Sequence, residues 1–161
     1  ALVSLGNAVT GDNCGVQSVV NNAPVTFPVG TTMVIWTVTD IHGNVSTATQ
    51  TVTVNDTEKP VIACAANQVF CANTGGNNNY AIPVLTLSDN CGVASTTYTV
   101  SGATNRSGNG ANASGVFEIG TSTVTYTVTD IHGNVSICNF TVTINPLPIP
   151  SVEAASPNVF C

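Results

Sequence analysis

Apolar and polar residues alternate with a period of two over long stretches of the chain. From Thr121 to Thr129, Val124, Tyr126 and Val128 fall on one face and threonines on the other. That pattern predicts a half-buried antiparallel strand. Val34, Trp36 and Val38 occupy the same face of an equivalent strand earlier in the chain. Each of these strands runs into Ile-His-Gly-Asn, at Ile41 to Asn44 and Ile131 to Asn134. This predicts a tight turn, because Gly tolerates positive φ and Asn accepts the left-handed region. A second alternating stretch follows each turn, ending at Asn55 or Asn145. No segment carries helical periodicity. Short strands at this spacing, roughly seven in about 90 residues, predict an all-β fold of immunoglobulin-like β-sandwich domains.

The same segments recur. Val38-Thr39-Asp40-Ile41-His42-Gly43-Asn44-Val45-Ser46 returns as Val128 to Ser136, at an offset of 90. Phe27-Pro28-Val29-Gly30-Thr31 answers Phe117-Glu118-Ile119-Gly120-Thr121, and Thr51 to Asn55 answers Thr141 to Asn145. Asp12-Asn13-Cys14-Gly15 answers Asp89-Asn90-Cys91-Gly92 at an offset of 77, so the second copy holds 13 additional residues. The Gly- and Asn-rich stretch Ser101 to Ser114 is that insertion, expected to be a long mobile loop or hairpin tip. A third copy opens at the C-terminus, where Pro157-Asn158-Val159-Phe160-Cys161 answers Asn67-Gln68-Val69-Phe70-Cys71 and Pro150 answers Pro60. The implied organisation is a first domain over 1–54 that lacks its opening strand, a complete domain over 55–145, and a linker and opening strand over 146–161. Repeat arrays stack end to end. Residues 146–161 are therefore expected to open a domain that residues 1–54 of a neighbouring unit finish. With no initiator Met and no signal peptide, the chain reads as a mature piece or an excised segment of a longer protein.

Composition narrows the function. Only 6% of residues are charged, and Lys59 and Arg106 are the sole basic side chains among 161 residues. No basic stripe exists to neutralise phosphates, which excludes nucleic-acid binding, or to anchor the chain electrostatically to a membrane. The longest apolar run, Val61 to Ala66, is too short to span a bilayer. The net charge is −6, yet 43% apolar content can build a core. Six cysteines with no CxxC spacing, in a chain rich in Thr, Asn, Ser and Val, point to an oxidising extracellular setting.

The series Asp-Asn-Cys-Gly, Phe-Pro-Val-Gly-Thr-Thr, Trp-Thr-Val-Thr-Asp-Ile-His-Gly-Asn and a closing Thr-Val-Thr-Val resembles the hyalin repeat (HYR) domain. The resemblance covers nearly the whole chain. The linker Asn145-Pro146-Leu147-Pro148-Ile149-Pro150 is similar to those of the large repetitive surface adhesins of gliding Bacteroidetes. The resemblance implies immunoglobulin-like modules in extracellular cell-surface adhesion proteins and implies no enzyme.

The differences between copies bear on the cysteines. Cys138 has Ala48 as its counterpart in the first copy, and Cys64 has Ala154 in the third. Joint loss of both positions predicts a Cys64–Cys138 disulfide. Pairing of Cys71 with Cys91 then follows by elimination, and the same logic pairs Cys161 with Cys14 of a neighbouring unit, although six cysteines permit 15 connectivities.

Asp56, Glu58, Asp89 and Asp130 are predicted to gather at one end of the second domain, in the linker and two loops. Oxygen ligands from irregular segments suit Ca²⁺. The alternative is that Asp40 and Asp130 only cap their turns. His42 and His132 lack zinc partners at workable spacing, and no GxSxG motif accompanies them. The reading is a structural module of an extracellular adhesin stalk or filament, joined head to tail with copies of itself. The alternative is a module that binds carbohydrate or protein through the 101–114 loop. A surface with so few charges predicts an assembly that survives high salt and weakens under reductant.

Overall fold

The computed structural model describes residues 1–148. It divides into two compact units, Ala1–Thr57 and a second beginning at Glu58, so the break lies just beyond the boundary read from the repeats. The first unit contains β1 (Val16–Asn21), β2 (Gly30–Asp40) and β3 (Val45–Val54), in one antiparallel sheet of that order. The second contains β4 (Val61–Ala63), β5 (Gln68–Cys71), β6 (Asn79–Tyr80), β7 (Thr86–Ser88), β8 (Val93–Gly102), β9 (Arg106–Asn109), β10 (Gly115–Val116), β11 (Gly120–Asp130) and β12 (Val135–Asn145). Among the described residues no helix is long and apolar enough to cross a membrane.

The second unit is an immunoglobulin-like β-sandwich. One sheet runs β5-β12-β11-β8-β9, and the facing layer is made of the short pairs β4-β7 and β6-β10. The alternation read from Thr121 to Thr129 is realised in β11: Val124, Tyr126 and Val128 are fully buried, with threonines between them. β11 pairs along its length with β12, from Gly120↔Ile144 to Thr129↔Val135. The facing layer contributes Ile82 and Leu85, and Phe117 and Phe140 fill the space between the layers. Between β4 and β5 the chain crosses from one layer to the other. β4 pairs antiparallel with β7, whereas β5 pairs parallel with β12. The opening segment of the module therefore closes both layers along one side.

The first unit shares this plan only from a certain point onward. The Phe27 amide donates to Ala1 O at 2.8 Å, as the Phe117 amide donates to Asn78 O at 2.9 Å. The Ile41 amide reaches Gly15 O as Ile131 reaches Gly92 O. Ala1 is thus the structural counterpart of Asn78, and β4 and β5 have no counterpart among the described residues of the first unit. Its buried core is Phe27, Val34 and Val52, with Trp36 only partly covered.

Of the two forms expected for the insertion, the structure shows the hairpin. Ser101 to Ser114 does not project as a mobile loop. β9 folds back as a hairpin on β8, from Thr97↔Asn109 to Val100↔Arg106. Ala113 is fully buried. The Tyr126 hydroxyl accepts from the Ala113 amide at 2.9 Å and donates to Ala111 O at 3.1 Å. Arg106 donates to Ala113 O and Ser114 O and lies 4.8 Å from the Phe117 ring centroid. The Gly, Asn and Ser composition concealed two anchors, an apolar Ala and a cation resting on an aromatic face.

Candidate functional site

The β11–β12 turn is built on one carboxylate. Asp130 Oδ1 accepts from the amides of His132 and Asn134, each at 2.8 Å, and Oδ2 accepts from Asn134 Nδ2 at 2.7 Å. Gly133, at φ 91°, makes the reversal. Asp40 repeats the arrangement with His42 and Asn44 at the same distances. In Asp40 the Asn44 side chain, with the surrounding amides, holds the carboxyl below its ordinary value of 3.8. In Asp130 burial pushes upward, but the Asn134 side chain and the amides of Asn134, His132 and Gly133 together outweigh it, and the net shift is again downward. Capping is thus observed at both aspartates. The two histidines supply backbone amides to these turns, and both side chains are exposed.

The same end of the second unit carries Asp89 and Glu58. Asp89 Oδ1 accepts from the amides of Cys91 and Gly92 at 2.9 and 2.8 Å. Its other oxygen, Oδ2, is buried with no hydrogen-bond partner, yet it belongs to a residue with a carboxylate neighbour. Oxygens of Asp89 and Asp130 lie within 4.8 Å of one another. Glu58 Oε2 accepts from Asn90 Nδ2 at 2.8 Å. Asp56 falls in the first unit.

The cysteines divide by position. Cys64 and Cys138 form a disulfide, with Cα atoms 5.9 Å apart and 74 residues between them in sequence. Cys71 and Cys91 do not pair, and the sheet explains why. Cys71 is in register with Asn145, at the Gly120 end of β11. Cys91 lies just before Val93, which is in register with Asp130 at the other end of β11. Those ends are separated by ten strand steps, roughly 33 Å, far beyond the reach of a disulfide. Cys71 is an exposed free thiol. Cys14 stands at the Asp40 end of the first unit, where Asp12 Oδ1 accepts from the amides of Cys14 and Gly15. Cys161 lies outside the described residues.

The first unit is open where the second is closed. Leu5, Val9, Trp36, Val38, Ala48 and Gln50 line a groove of about 510 Å³. Val9 is wholly exposed.

Residues 55–144, more than half of the chain, match the HYR domain. The chain belongs to the HYR domain family. Hyalin of Strongylocentrotus purpuratus is 32% identical over 141 residues, covering 84% of this chain and 10% of that protein. Hyalin of Lytechinus variegatus is 35% identical over 159 residues, covering 93% of this chain and 27% of that protein. The chain therefore spans about a tenth and about a quarter of the length of these relatives. Among solved structures, fibronectin(III)-like modules of Clostridium thermocellum CbhA align with a TM-score of 0.42 at 15% identity, over 92% of this chain and 88% of that one. The matched HYR segment contains the disulfide, the Asp130 turn and both layers of the sandwich. The insertion on which Tyr126 closes is also inside it.

Proposed function

We propose that this chain is a structural module of an extracellular adhesion protein and that it assembles head to tail with copies of itself. The observation that carries the reading is a disulfide-stapled HYR sandwich in one chain with a second unit that repeats its long paired strands and its Asp-capped turn. Disulfides persist in oxidising compartments, and the similarity to hyalin supports an adhesion-type setting. A place at the surface of a cell, in a large repetitive adhesin of gliding Bacteroidetes, is the finer form of this reading and rests on the proline-rich linker. The 101–114 segment gives little support to a binding role, because it packs into its own module. Light scattering across a concentration series tests the reading. Association into chains that grow with concentration and persist in high salt is expected; a strict monomer at every concentration overturns it.

A calcium ion at the Asp89 and Asp130 end is a second element of the proposal, favoured by the orphaned Asp89 Oδ2. Ca²⁺ takes six to eight oxygens in irregular geometry, and Asp89 and Asp130, with Glu58 beside Asn90, would supply carboxylates. A rise in melting temperature with Ca²⁺, reversed by EDTA and lost in Asp89→Asn, is expected. An unchanged melt sinks the ion.

A further inference from the structure

We propose that the Cys64–Cys138 disulfide is a load bypass. Tension that enters the second unit at Glu58 and leaves it at Asn145 crosses between the β4 side and β12 through the two sulfurs. Residues 65–137 carry none of it until a thiol opens the bond. The inference rests on the adhesion reading for the source of the tension; the route rests on the geometry of the second unit alone.

The bond stands close to both ends of the module. Cys64 lies six positions after Glu58, where the second unit begins, and Cys138 lies seven before Asn145, where β12 ends. The two cysteines are 74 positions apart in sequence and 5.9 Å apart between Cα atoms. Most of the module is therefore a loop closed by one covalent bond. Inside that loop lie β5 to β11, with Phe117 and Tyr126 of the core. The insertion held by Arg106 is inside it too, as are Asp89 and Asp130. Outside it are β4 at the entry and the last residues of β12 at the exit.

The direction of the load follows from the sheet. The chain enters beside the start of β12, where the Ser136 hydroxyl donates to Pro60 O at 2.6 Å. It leaves at the far end of the same strand. A pull on both ends therefore acts along β12. Between Pro60 and the bond stand only the pairs of Val61, Ile62 and Ala63 with Ser88, Leu87 and Thr86. Past Cys64 comes β5, which runs parallel to β12 with Gln68 to Cys71 in register with Val142 to Asn145. A parallel pair pulled from opposite ends loads its hydrogen bonds together, so β5 and β12 would resist if the sulfurs were unbonded. With the bond closed, Cys64 passes the load to Cys138 four positions before β5 begins.

The reach of each state follows from chain length. In the oxidised module the loaded path is Glu58 to Cys64, the bridge, and Cys138 to Asn145, about 50 Å when fully extended. Ser136 to Asn145 already spans roughly 30 Å of β12, so the module yields by only about 20 Å. Opening the bond adds the closed loop, a further 250 Å or roughly so.

The bond is placed to be opened. Cys64 is exposed and Cys138 only partly buried. A thiolate attacks one sulfur of the bridge, and the other leaves as a thiolate that takes a proton. A second thiol then attacks the mixed disulfide and frees the first cysteine. The protein disulfide is reduced to two thiols, and two thiols of the reductant are oxidised to one disulfide. The first unit has no such bypass: Ala48 stands in the place of Cys138, and Cys14 is the only cysteine of residues 1–57.

The test holds the full chain by its two ends at constant load and adds dithiothreitol. A lengthening step of about 250 Å is expected, at a rate that rises with load because the bond that is attacked is the one under tension. The first unit, Ala1–Thr57, can release at most about 200 Å, and its step needs no reductant. A reduction rate that does not change with load overturns the bypass, since the hydrogen-bonded sheet would then be carrying the force. A bond that stays closed in dithiothreitol at every load overturns the thiol response. Cys64→Ala with Cys138→Ala should release the same 250 Å or so with no reductant present; a variant held to the length of the oxidised parent overturns the assignment of the limit to this bond. A chain that remains a monomer in light scattering leaves these readings untouched, and a load-independent reduction leaves the adhesion reading standing.

Discussion

Asp130 and Asp40 each satisfy two amides and an Asn side chain, and neither turn forms this way once the carboxyl is protonated. Both carboxyls sit below the ordinary value of 3.8 in the folded protein. A group whose folded value is depressed contributes stability above its unfolded value and loses it as pH falls through the folded one. The melting temperature should therefore stay level from neutral pH toward 3.8 and fall below it. Asp130→Asn should lower the melt at neutral pH, because an amide nitrogen replaces an acceptor opposite Asn134 Nδ2, and should flatten the acid limb. A melt of that variant that still falls as steeply in acid would remove Asp130 from the account. Tyr126 is the second decisive residue. Burial raises its phenol above the ordinary value, with Tyr98 adding and the Ala113 amide and Arg106 opposing. Tyr126→Phe strands the Ala113 amide in the core, and denaturant unfolding should record a loss of about 1–3 kcal/mol. The Asp cap was readable from its place before Ile-His-Gly-Asn. The Tyr126 bond was not, since its partners lie 13 and 15 residues away inside a segment whose composition resembles a loop.

β11 and β12 were legible because their alternation extends over 11 residues each, and their turn carries its own signature. β5 was not. It has four residues, and its parallel pairing with β12 joins segments more than 70 positions apart, which no local pattern encodes. The cysteines show the same division. Cys64–Cys138 followed from a joint loss in the other copies, which reports spatial contact. Cys71–Cys91 followed from elimination, which ignores that the two stand at opposite ends of one sheet. Replacing both bonded cysteines, Cys64→Ala with Cys138→Ala, should leave the sandwich folded, as Ala48 does at the matching place, but less stable by about 2–4 kcal/mol. Gly102 tests the insertion. At φ 107° its added Cβ would lie 2.6 Å from Thr121 O, so Gly102→Ala should destabilise the β8–β9 hairpin and its attachment to β11. Hydrogen exchange should quicken there first; unchanged protection would show that the hairpin does not depend on that close approach.

The two units differ in how much core they own. Among the described residues the second buries twelve in one apolar cluster, including Phe117, Tyr126 and Phe140, while the first buries three. Apolar burial is the main favourable contribution to folding, so the first unit should be the weaker by a wide margin. Calorimetry of the full chain should then resolve two transitions rather than one. Val34 and Val124 are matching, fully buried positions in the two units, and each truncation to Ala removes about 2 kcal/mol. For domains of this size that is a downward shift of roughly 10 °C. Val34→Ala should move only the lower transition and Val124→Ala only the upper. One cooperative transition shifted equally by both variants would mean that the modules fold as a single body. If the lower transition also rises with chain concentration while the upper stays fixed, the folded first unit is the one that takes part in association. Mass action requires that result of any partner that binds the folded form alone.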